Sequence, residues 1–168
     1  GQVGMVVRRI SAHIPTFEEL NLPSAILEKI AMARRGLVLV VGGTGAGKSS
    51  TQAAMVGYRN HHTRGHIVTV EDPIEFVHAH DRCIVTQREV GVDTMSYRSA
   101  LENAMRQAPD VIQIGEIRTP ETMKQAIIFA ETGHLCLATL HANNTYQALA
   151  QIVNLHSRSG ARETLYID

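Results

Sequence analysis

The segment at residues 42–49, Gly-Gly-Thr-Gly-Ala-Gly-Lys-Ser, constrains the fold of this chain more than any other. It matches the pattern G-x-x-x-x-G-K-[ST], in which glycines let the backbone curl so that successive N–H groups point inward and hold phosphate groups. An apolar run at residues 37–41 precedes it and is typical of a buried strand. Residues 50–56 favour a helix, whose N-terminus attracts anions. This order of strand, glycine loop and helix predicts a phosphate-binding loop in an α/β domain.

The loop residues have predicted roles. Lys48 adds a positive charge for the β- and γ-phosphates of a nucleotide, and Ser49 offers a hydroxyl to Mg²⁺. The alternative, a glycine-rich turn followed by a chance Lys-Ser pair, is disfavoured by the flanking strand and helix. The other predicted nucleotide-binding residues of this segment are Gly42, Gly43, Thr44, Gly45, Ala46, Gly47 and Ser50.

The composition narrows the classes of function. The 168 residues are enough for one domain with a core, and 16 basic residues balance 16 acidic ones. This balance and the 4% aromatic content argue against a nucleic-acid surface. Cys83 and Cys136 form no Cys-x-x-Cys pair and look like small apolar strand residues, which favours a reducing, cytosolic compartment. We see no signal peptide and no apolar run near the ~20 residues that a membrane helix needs, and Gly1 is consistent with an excised piece of a longer protein.

Strands alternate with helices along the chain. We predict a strand at residues 2–10, a linker at 11–23 and a helix at 24–35 that Ser24 caps and Gly36 ends. Further strands are predicted at residues 37–41, 66–70, 83–87, 111–114 and 135–140, and further helices at 50–56 and 97–105, between the Thr119 cap and Gly133, and at 146–155. The alternation predicts a mostly parallel sheet with helices on both faces, and ligands bind such sheets beyond the carboxyl ends of the strands.

Acidic residues follow two of the predicted strands. Glu71, Asp72 and Glu75 could hold Mg²⁺ or polarise a water, with an acidic solvated turn as the alternative. Glu116 follows an apolar strand downstream of the phosphate loop, which fits a Walker B residue that bonds a metal-bound water or orients the attacking one. Gln113 is unusual within a buried strand and needs a hydrogen-bond partner.

Several histidines are candidates for chemistry. His141 comes just after a predicted strand, where a residue that senses the γ-phosphate would lie, although a structural histidine is the commoner case there. His61 and His62, and also His78 and His80, raise the question of a metal site. Zinc sites need three or four convergent ligands, so solvated loop histidines are the favoured interpretation.

The motifs and their order resemble the secretion ATPase superfamily. They are the phosphate loop, Glu-Asp-Pro-Ile-Glu-Phe-Val-His at 71–78, Gln-Arg-Glu-Val-Gly-Val-Asp-Thr at 87–94, Arg-Gln-Ala-Pro-Asp-Val-Ile-Gln-Ile-Gly-Glu-Ile-Arg at 106–118, and Thr-Gly-His-Leu-Cys-Leu-Ala-Thr-Leu-His-Ala-Asn at 132–143. Within the superfamily the chain is similar to the type IV pilus retraction ATPases of the PilT and PilU group. Its first ten residues and residues 136–144 favour the PilU side of that group.

The resemblance implies a RecA-like P-loop core that hydrolyses ATP with Mg²⁺. It implies that residues 42–49 are the Walker A loop and that Glu116 is the atypical Walker B glutamate, which shares the metal with Ser49, partly through water. Two departures from the family pattern are Gln113, where an apolar residue is usual, and Thr119, where an acidic residue often follows Arg118.

The resemblance also assigns roles to the other polar clusters. Glu71, Asp72 and Glu75 match the family's Asp box, in which Glu75 is a candidate to polarise the attacking water. His134 and His141 match the His box, which contacts the γ-phosphate region. Separately, Arg88, Arg98 and Arg118 are candidates to stabilise charge during phosphoryl transfer.

Family members form hexameric rings on the cytoplasmic face of the inner membrane and extract pilin from the fibre base. We therefore expect a motor for twitching motility, as a homo-hexamer or a mixed ring with a PilT-type paralogue, on an inner-membrane platform protein and without nucleic acid. Residues 1–11 would be the last strand of a truncated N-terminal domain, 12–23 a linker and 24–168 an ATPase domain lacking its C-terminal part.

Three other functions stay open from the sequence. The first is an accessory ring subunit that binds nucleotide with weak turnover of its own. The second is a type II secretion or pilus assembly ATPase of the same superfamily. The third is a DNA-translocating P-loop protein, which the zero net charge disfavours.

Overall fold

The helices and strands follow the alternating order that the hydrophobic pattern predicts. The computed structural model describes residues 3–5 and 10–158. The elements are α1 Ser24–Ala31, β1 Gly36–Val41, α2 Lys48–His62, β2 Gly65–Glu71, β3 Cys83–Glu89, α3 Tyr97–Ala104, β4 Val111–Ile114, α4 Pro120–Glu131, β5 Leu135–Leu140 and α5 Thr145–Arg158. A short 3₁₀ turn, Met105–Gln107, follows α3.

The five strands form one sheet in the order β1-β5-β4-β2-β3. Every pairing between neighbours in this sheet is parallel. The register aligns the first residues of β1 and β5, Gly36 and Leu135, so the two strands also end together. The segments that follow β1, β2, β4 and β5 therefore emerge at one edge of the sheet, the carboxyl edge.

Helices cover both faces of the sheet. One core contains Ile67, Val111 and Leu137 from the strands and is covered by α1 and α2. The other contains strand residues such as Val68 and Ile112, and it is covered by α3, α4 and α5. Neighbouring residues of a strand belong to different cores, because successive side chains point to opposite faces. The predicted α/β architecture, with helices on both faces, is confirmed.

The predicted start of the first helix at Ser24 is confirmed, but its predicted caps and its predicted end are wrong. Pro23 occupies the N-cap position, and Ser24 is the first helical residue; its hydroxyl donates to the Leu22 carbonyl at 3.5 Å instead of capping the helix. The helix ends at Ala31, and Gly36 begins β1 with a φ of 126°. Gly36 therefore does not cap α1, and its positive φ serves the entry into the strand.

The helix after the phosphate loop is longer than predicted. It begins at Lys48 and ends at His62, whereas the prediction covers residues 50–56. Gly57 lies within it, and a Cβ at this position would come within 2.7 Å of Ile14 Cγ2. The glycine therefore lets residues before α1 pack closely on α2. Phe17 is buried in the same region, and its ring lies 5.6 Å from that of Tyr58.

The remaining elements agree with the predictions to within a few residues. The Thr119 hydroxyl accepts a hydrogen bond from the Thr122 amide and caps α4, as predicted. Cys83 and Cys136 are buried, free strand residues. The strand predicted at residues 2–10 lies mostly outside the described residues; residues 3–5 and 10 are not in a strand. None of the described helices is long and apolar enough to cross a bilayer.

Interior and edge strands of the sheet should contribute differently to stability. Leu137 is 1% exposed at the centre of β5, whereas Ile84 on the edge strand β3 is 62% exposed. We expect Leu137→Ala to lower the free energy of unfolding by about 2–5 kcal/mol, because it leaves a cavity in a closed core. Ile84→Ala is the matched control and should cost less than about 1 kcal/mol. Denaturant unfolding of both variants measures this, and equal losses would contradict the assignment of the core.

Candidate nucleotide-binding site

The phosphate loop connects β1 to α2 at the carboxyl edge of the sheet. Gly45 and Gly47 have φ values of 76° and 83°, a left-handed conformation that favours glycine. Gly47 is also the N-cap of α2, so the loop residues lie at the positive end of a 15-residue helix. At Gly42 a Cβ would come within 2.9 Å of the Ala46 Cβ, which explains why the tight turn requires glycine there.

The side chain of Lys48 folds back over this loop. Its Nζ donates to the carbonyl oxygens of Gly42 and Gly43, at 3.0 and 2.8 Å. The residue itself is buried, so these carbonyls replace the water that an ammonium group would otherwise bind. The charge is thereby held at the mouth of the loop, where it can meet an incoming phosphate.

A cavity of about 370 Å³ lies beside the loop at the carboxyl edge. Most of the residues that the sequence analysis predicts for the site line this cavity, although they come from four separate segments of the chain. The lining residues are Thr44, Gly45, Lys48, Ser49, Gln52, Ala53, Glu71, Asp72, Pro73, Glu75, Phe76, His78, Tyr97, Gln113, Gly115, Glu116, Arg118, Thr139 and His141. Its size is typical of a small-molecule site, and its mostly polar and charged lining suits a charged ligand.

Glu116 lies on this cavity with both carboxylate oxygens paired. Arg118 Nη2 lies 2.6 Å from Oε2, and His141 Nε2 lies 3.1 Å from Oε1. The carboxylate is 17% exposed, whereas the Arg118 side chain is 65% exposed. Each partner pairs with a different oxygen of the carboxylate, so together they set the orientation of the Glu116 side chain.

The three acids after β2 have different environments. Glu71 is buried, and its Oε1 accepts hydrogen bonds from Thr69 Oγ1 at 2.6 Å and Gln87 Nε2 at 3.1 Å. Burial raises the pKa of Glu71, although these hydrogen bonds oppose the shift. Asp72 and Glu75 are exposed at the mouth of the cavity, where an acid can contact bound solvent directly.

The structure places His134 away from the other predicted site residues. This residue precedes β5, so it lies at the amino edge of the sheet, whereas His141 follows β5 at the carboxyl edge, roughly 23 Å away along the strand direction. Its Nδ1 is 3.2 Å from the Phe129 carbonyl, and it lines a different cavity with Arg34, Arg35 and Arg59. His134 therefore lies outside the cavity beside the phosphate loop.

Some other predicted residues also lie outside the cavity lining. Of the three arginine candidates, Arg118 lines the cavity, whereas Arg88 and Arg98 do not; Arg98 is paired with Glu102 at 2.8 Å on α3. Among the loop residues, Gly42, Gly43, Ala46, Gly47 and Ser50 are absent from the lining, although they shape the loop around it.

The sequence analysis missed Gln52, Thr139 and Tyr97 as residues of this cavity, and it considered His78 only as a possible metal ligand. Gln52, His78 and Thr139 are buried in the cavity lining. The Thr139 hydroxyl donates to the Gly115 carbonyl at 2.6 Å and so holds the turn before Glu116. One sign was available in the sequence, because Gln52 lies one helical turn after Lys48 on the face of α2 that must meet the sheet.

The other histidines make contacts of a structural kind. His61 Nδ1 lies 2.7 Å from Asp81 Oδ2, and the ring of His62 stacks on Tyr58 with centroids 4.0 Å apart. His80 Nδ1 accepts a hydrogen bond from the Val85 amide. Within residues 3–5 and 10–158, no group of three or more His, Cys, Asp or Glu side chains is placed to hold a metal ion.

The cavity nevertheless has the donor set that suits a nucleotide-bound magnesium ion. Mg²⁺ prefers oxygen ligands, keeps several waters and uses few protein groups when phosphates complete its shell. Ser49 offers a hydroxyl and Glu116 a carboxylate, and both line the same cavity as Lys48. The residues therefore fit Mg²⁺ together with a polyphosphate.

The buried His78 should make stability depend on pH. Burial lowers its pKa from 6.5 to about 4. Between these values the unfolded chain takes up a proton that the folded chain does not, so the free energy of unfolding should decrease as the pH falls from about 6.5 to about 4. At pH 5 this amounts to about 2 kcal/mol. His78→Gln should remove this part of the loss in urea unfolding at pH 7 and pH 5, whereas His62→Gln should keep it. An unchanged pH dependence in His78→Gln would rule the explanation out.

Comparison with known proteins supports the resemblance seen in the motifs. The family model for the type II/IV secretion system protein matches residues 6–163. Over 152 residues the chain is 64% identical to the type IV pilus ATPase PilU of Pseudomonas aeruginosa, which covers 90% of this chain and 40% of that protein. It is 45% identical over 152 residues to PilT of the same organism, with 90% of this chain and 44% of that protein covered.

The fold has a counterpart among solved structures. The crystal structure of the pilus retraction motor PilT with bound ADP superposes with a TM-score of 0.84 at 48% identity, covering 88% of this chain and 43% of that one. The chain thus spans less than half the length of these relatives. The predicted resemblance and the RecA-like α/β fold are confirmed, and the chain belongs to the type II/IV secretion system protein family.

Proposed function

We propose that the protein is an ATP-hydrolysing motor of type IV pilus retraction that works as a hexameric ring. One observation carries this proposal: Lys48, Ser49 and Glu116, which suit phosphate, metal and water respectively, line one cavity. The similarity to PilU and PilT, whose names give the pilus and the ATPase activity, supports it. Phosphoryl transfer needs positioned charges more than covalent chemistry, and this cavity offers them.

The loop and α2 would bind the phosphates. The Lys48 Nζ can exchange its two loop carbonyls for phosphate oxygens at little cost, because both sets are hydrogen-bond acceptors. The loop amides and the N-terminus of α2 add partial positive charge. Mg²⁺ held by Ser49 and Glu116, partly through water, would neutralise the charge that develops on the phosphates.

The acids and His141 would act on the attacking water. Glu116 is held by Arg118 and His141, so its orientation is set before nucleotide binds. Glu75 is an exposed carboxylate on the same cavity and is the alternative group to polarise the water. Asp72, Glu71 and Arg118 contribute charge around this point.

On this proposal the subunits form a ring at the cytoplasmic face of the inner membrane. The ring is a homo-hexamer or includes a PilT-type paralogue, and it contacts a platform protein of the pilus. Nucleotide binding would shift the equilibrium between open and closed arrangements of the domains, which is how hydrolysis can do mechanical work.

A second candidate function is an accessory ring subunit that binds nucleotide but turns it over slowly alone. The identity of 64% to PilU against 45% to PilT favours the PilU side of the group. Measuring ATP hydrolysis by the full-length protein, alone and mixed with a PilT-type partner, distinguishes an autonomous motor from an accessory subunit. Robust turnover alone indicates an autonomous motor, whereas turnover only in the mixture indicates an accessory subunit.

Lys48→Ala should weaken ATP binding by about tenfold or more, because a buried charge-assisted contact to phosphate is lost. Lys29→Ala, an exposed position on α1, is the matched control and should bind ATP normally. Titration with a fluorescent ATP analogue measures both. Unchanged ATP affinity in Lys48→Ala would contradict the interpretation of residues 42–49 as a phosphate loop.

Glu116→Gln should keep ATP bound, with affinity within about threefold, and lower kcat by about a hundredfold, because it removes the group that acts on the water. Glu131→Gln at the exposed end of α4 is the control for charge removal and should keep its turnover. Phosphate release and nucleotide affinity are measured on the same preparations. Full activity in Glu116→Gln would indicate that Glu75, and not Glu116, acts on the attacking water.

A further inference from the structure

Two buried glutamines face each other below the phosphate loop. Gln52 on α2 is 1% exposed and Gln113 on β4 is 5% exposed. Both lie on the face of the sheet whose core is otherwise apolar, and both line the nucleotide cavity. Two buried primary amides need partners for four N–H donors and two oxygens, and each group left without a partner costs free energy.

The hydrogen bonds set the orientation of both amides. The Ile114 carbonyl lies 3.2 Å from one terminal atom of Gln52, and only the NH₂ group can donate to a carbonyl. The Gln52 oxygen must then face Gln113, whose NH₂ group approaches it at 3.5 Å. Gln113 is thereby fixed with its own oxygen directed away from Gln52.

The result is an acceptor without a donor. Gln113 Oε1 is buried and has no hydrogen-bond partner among the described residues. A buried acceptor of this kind needs a donor, and the cavity beside it is polar, since Ser49, Glu116 and Thr139 also line it. A water molecule can donate to Gln113 and still use its second hydrogen for another cavity group.

We propose that Gln113, oriented by Gln52, is a positioning residue that holds an ordered water on the floor of the nucleotide cavity. This rests on the proposed function only in that Glu116 lines the same cavity as Gln113. The Gln52 bond to Ile114 joins the helix that begins at Lys48 to the strand that leads to Glu116. The pair thus couples the position of the water to the phosphate-binding helix.

A purely structural role predicts a different outcome. Two leucines would fill the same space without amides to satisfy, and replacing both hydrogen-bond partners by apolar groups is often neutral for stability. If the two glutamines only pack, replacing both by leucine should preserve the fold and ATP turnover. If Gln113 positions water, the double replacement should preserve the fold and alter turnover.

The first experiment is a high-resolution crystal structure of the full-length wild-type protein with ADP. We expect a water within hydrogen-bond distance of Gln113 Oε1, absent in Gln113→Leu. A protein group that donates to Oε1 in the wild type would overturn the proposal. This readout does not depend on ATP hydrolysis, so it stands even if the protein proves to be inactive and the proposed function fails.

The second experiment compares steady-state ATP hydrolysis and thermal unfolding of Gln113→Leu, Gln52→Leu and the double variant. We expect the double variant to unfold within a few degrees of the wild type and to keep its KM within about twofold. Its kcat should fall about tenfold, which is about 1.4 kcal/mol. Recovery of kcat together with stability in the double variant would overturn the positioning role.

Discussion

The parallel pairing of the strands determines where this protein can do chemistry. Because β1, β5, β4 and β2 run in one direction, the segments that follow them emerge at the same edge of the sheet. Lys48, Glu71, Glu116 and His141 thus meet at one cavity, although up to 93 residues of sequence separate them. A strand reversed at any of these positions would send its polar end to the opposite edge.

Features that depend on short stretches of sequence were predictable. The loop at 42–49 and the cap at Thr119 each need only a few consecutive residues, so their patterns are sufficient. Glu116 and His141 were also predictable, since a polar residue just after an apolar strand lies at the carboxyl edge in any parallel sheet. Helix ends were less predictable, because Gly57 within α2 is compensated by packing against Ile14, which no local pattern shows.

Features that depend on contacts across the fold were not predictable from the pattern. His134 and His141 belong to one motif, but a whole strand separates them and places them at opposite edges. The partner of Gln113 is Gln52, which lies 61 residues away. The sequence showed that Gln113 needed a partner, yet only the packing of α2 on β4 identifies it. Proximity in sequence is a weak guide wherever a strand intervenes.

The charges at the cavity limit which ligand it can bind. Four carboxylates line it, from Glu71, Asp72, Glu75 and Glu116, against the two permanent cations of Lys48 and Arg118. A polyphosphate without a metal would therefore meet net repulsion, even with burial favouring the neutral form of Glu71. The loop amides and the α2 N-terminus offset part of this charge, and a divalent cation offsets more. The cavity should therefore favour a polyphosphate that carries a divalent cation over the same polyphosphate without one.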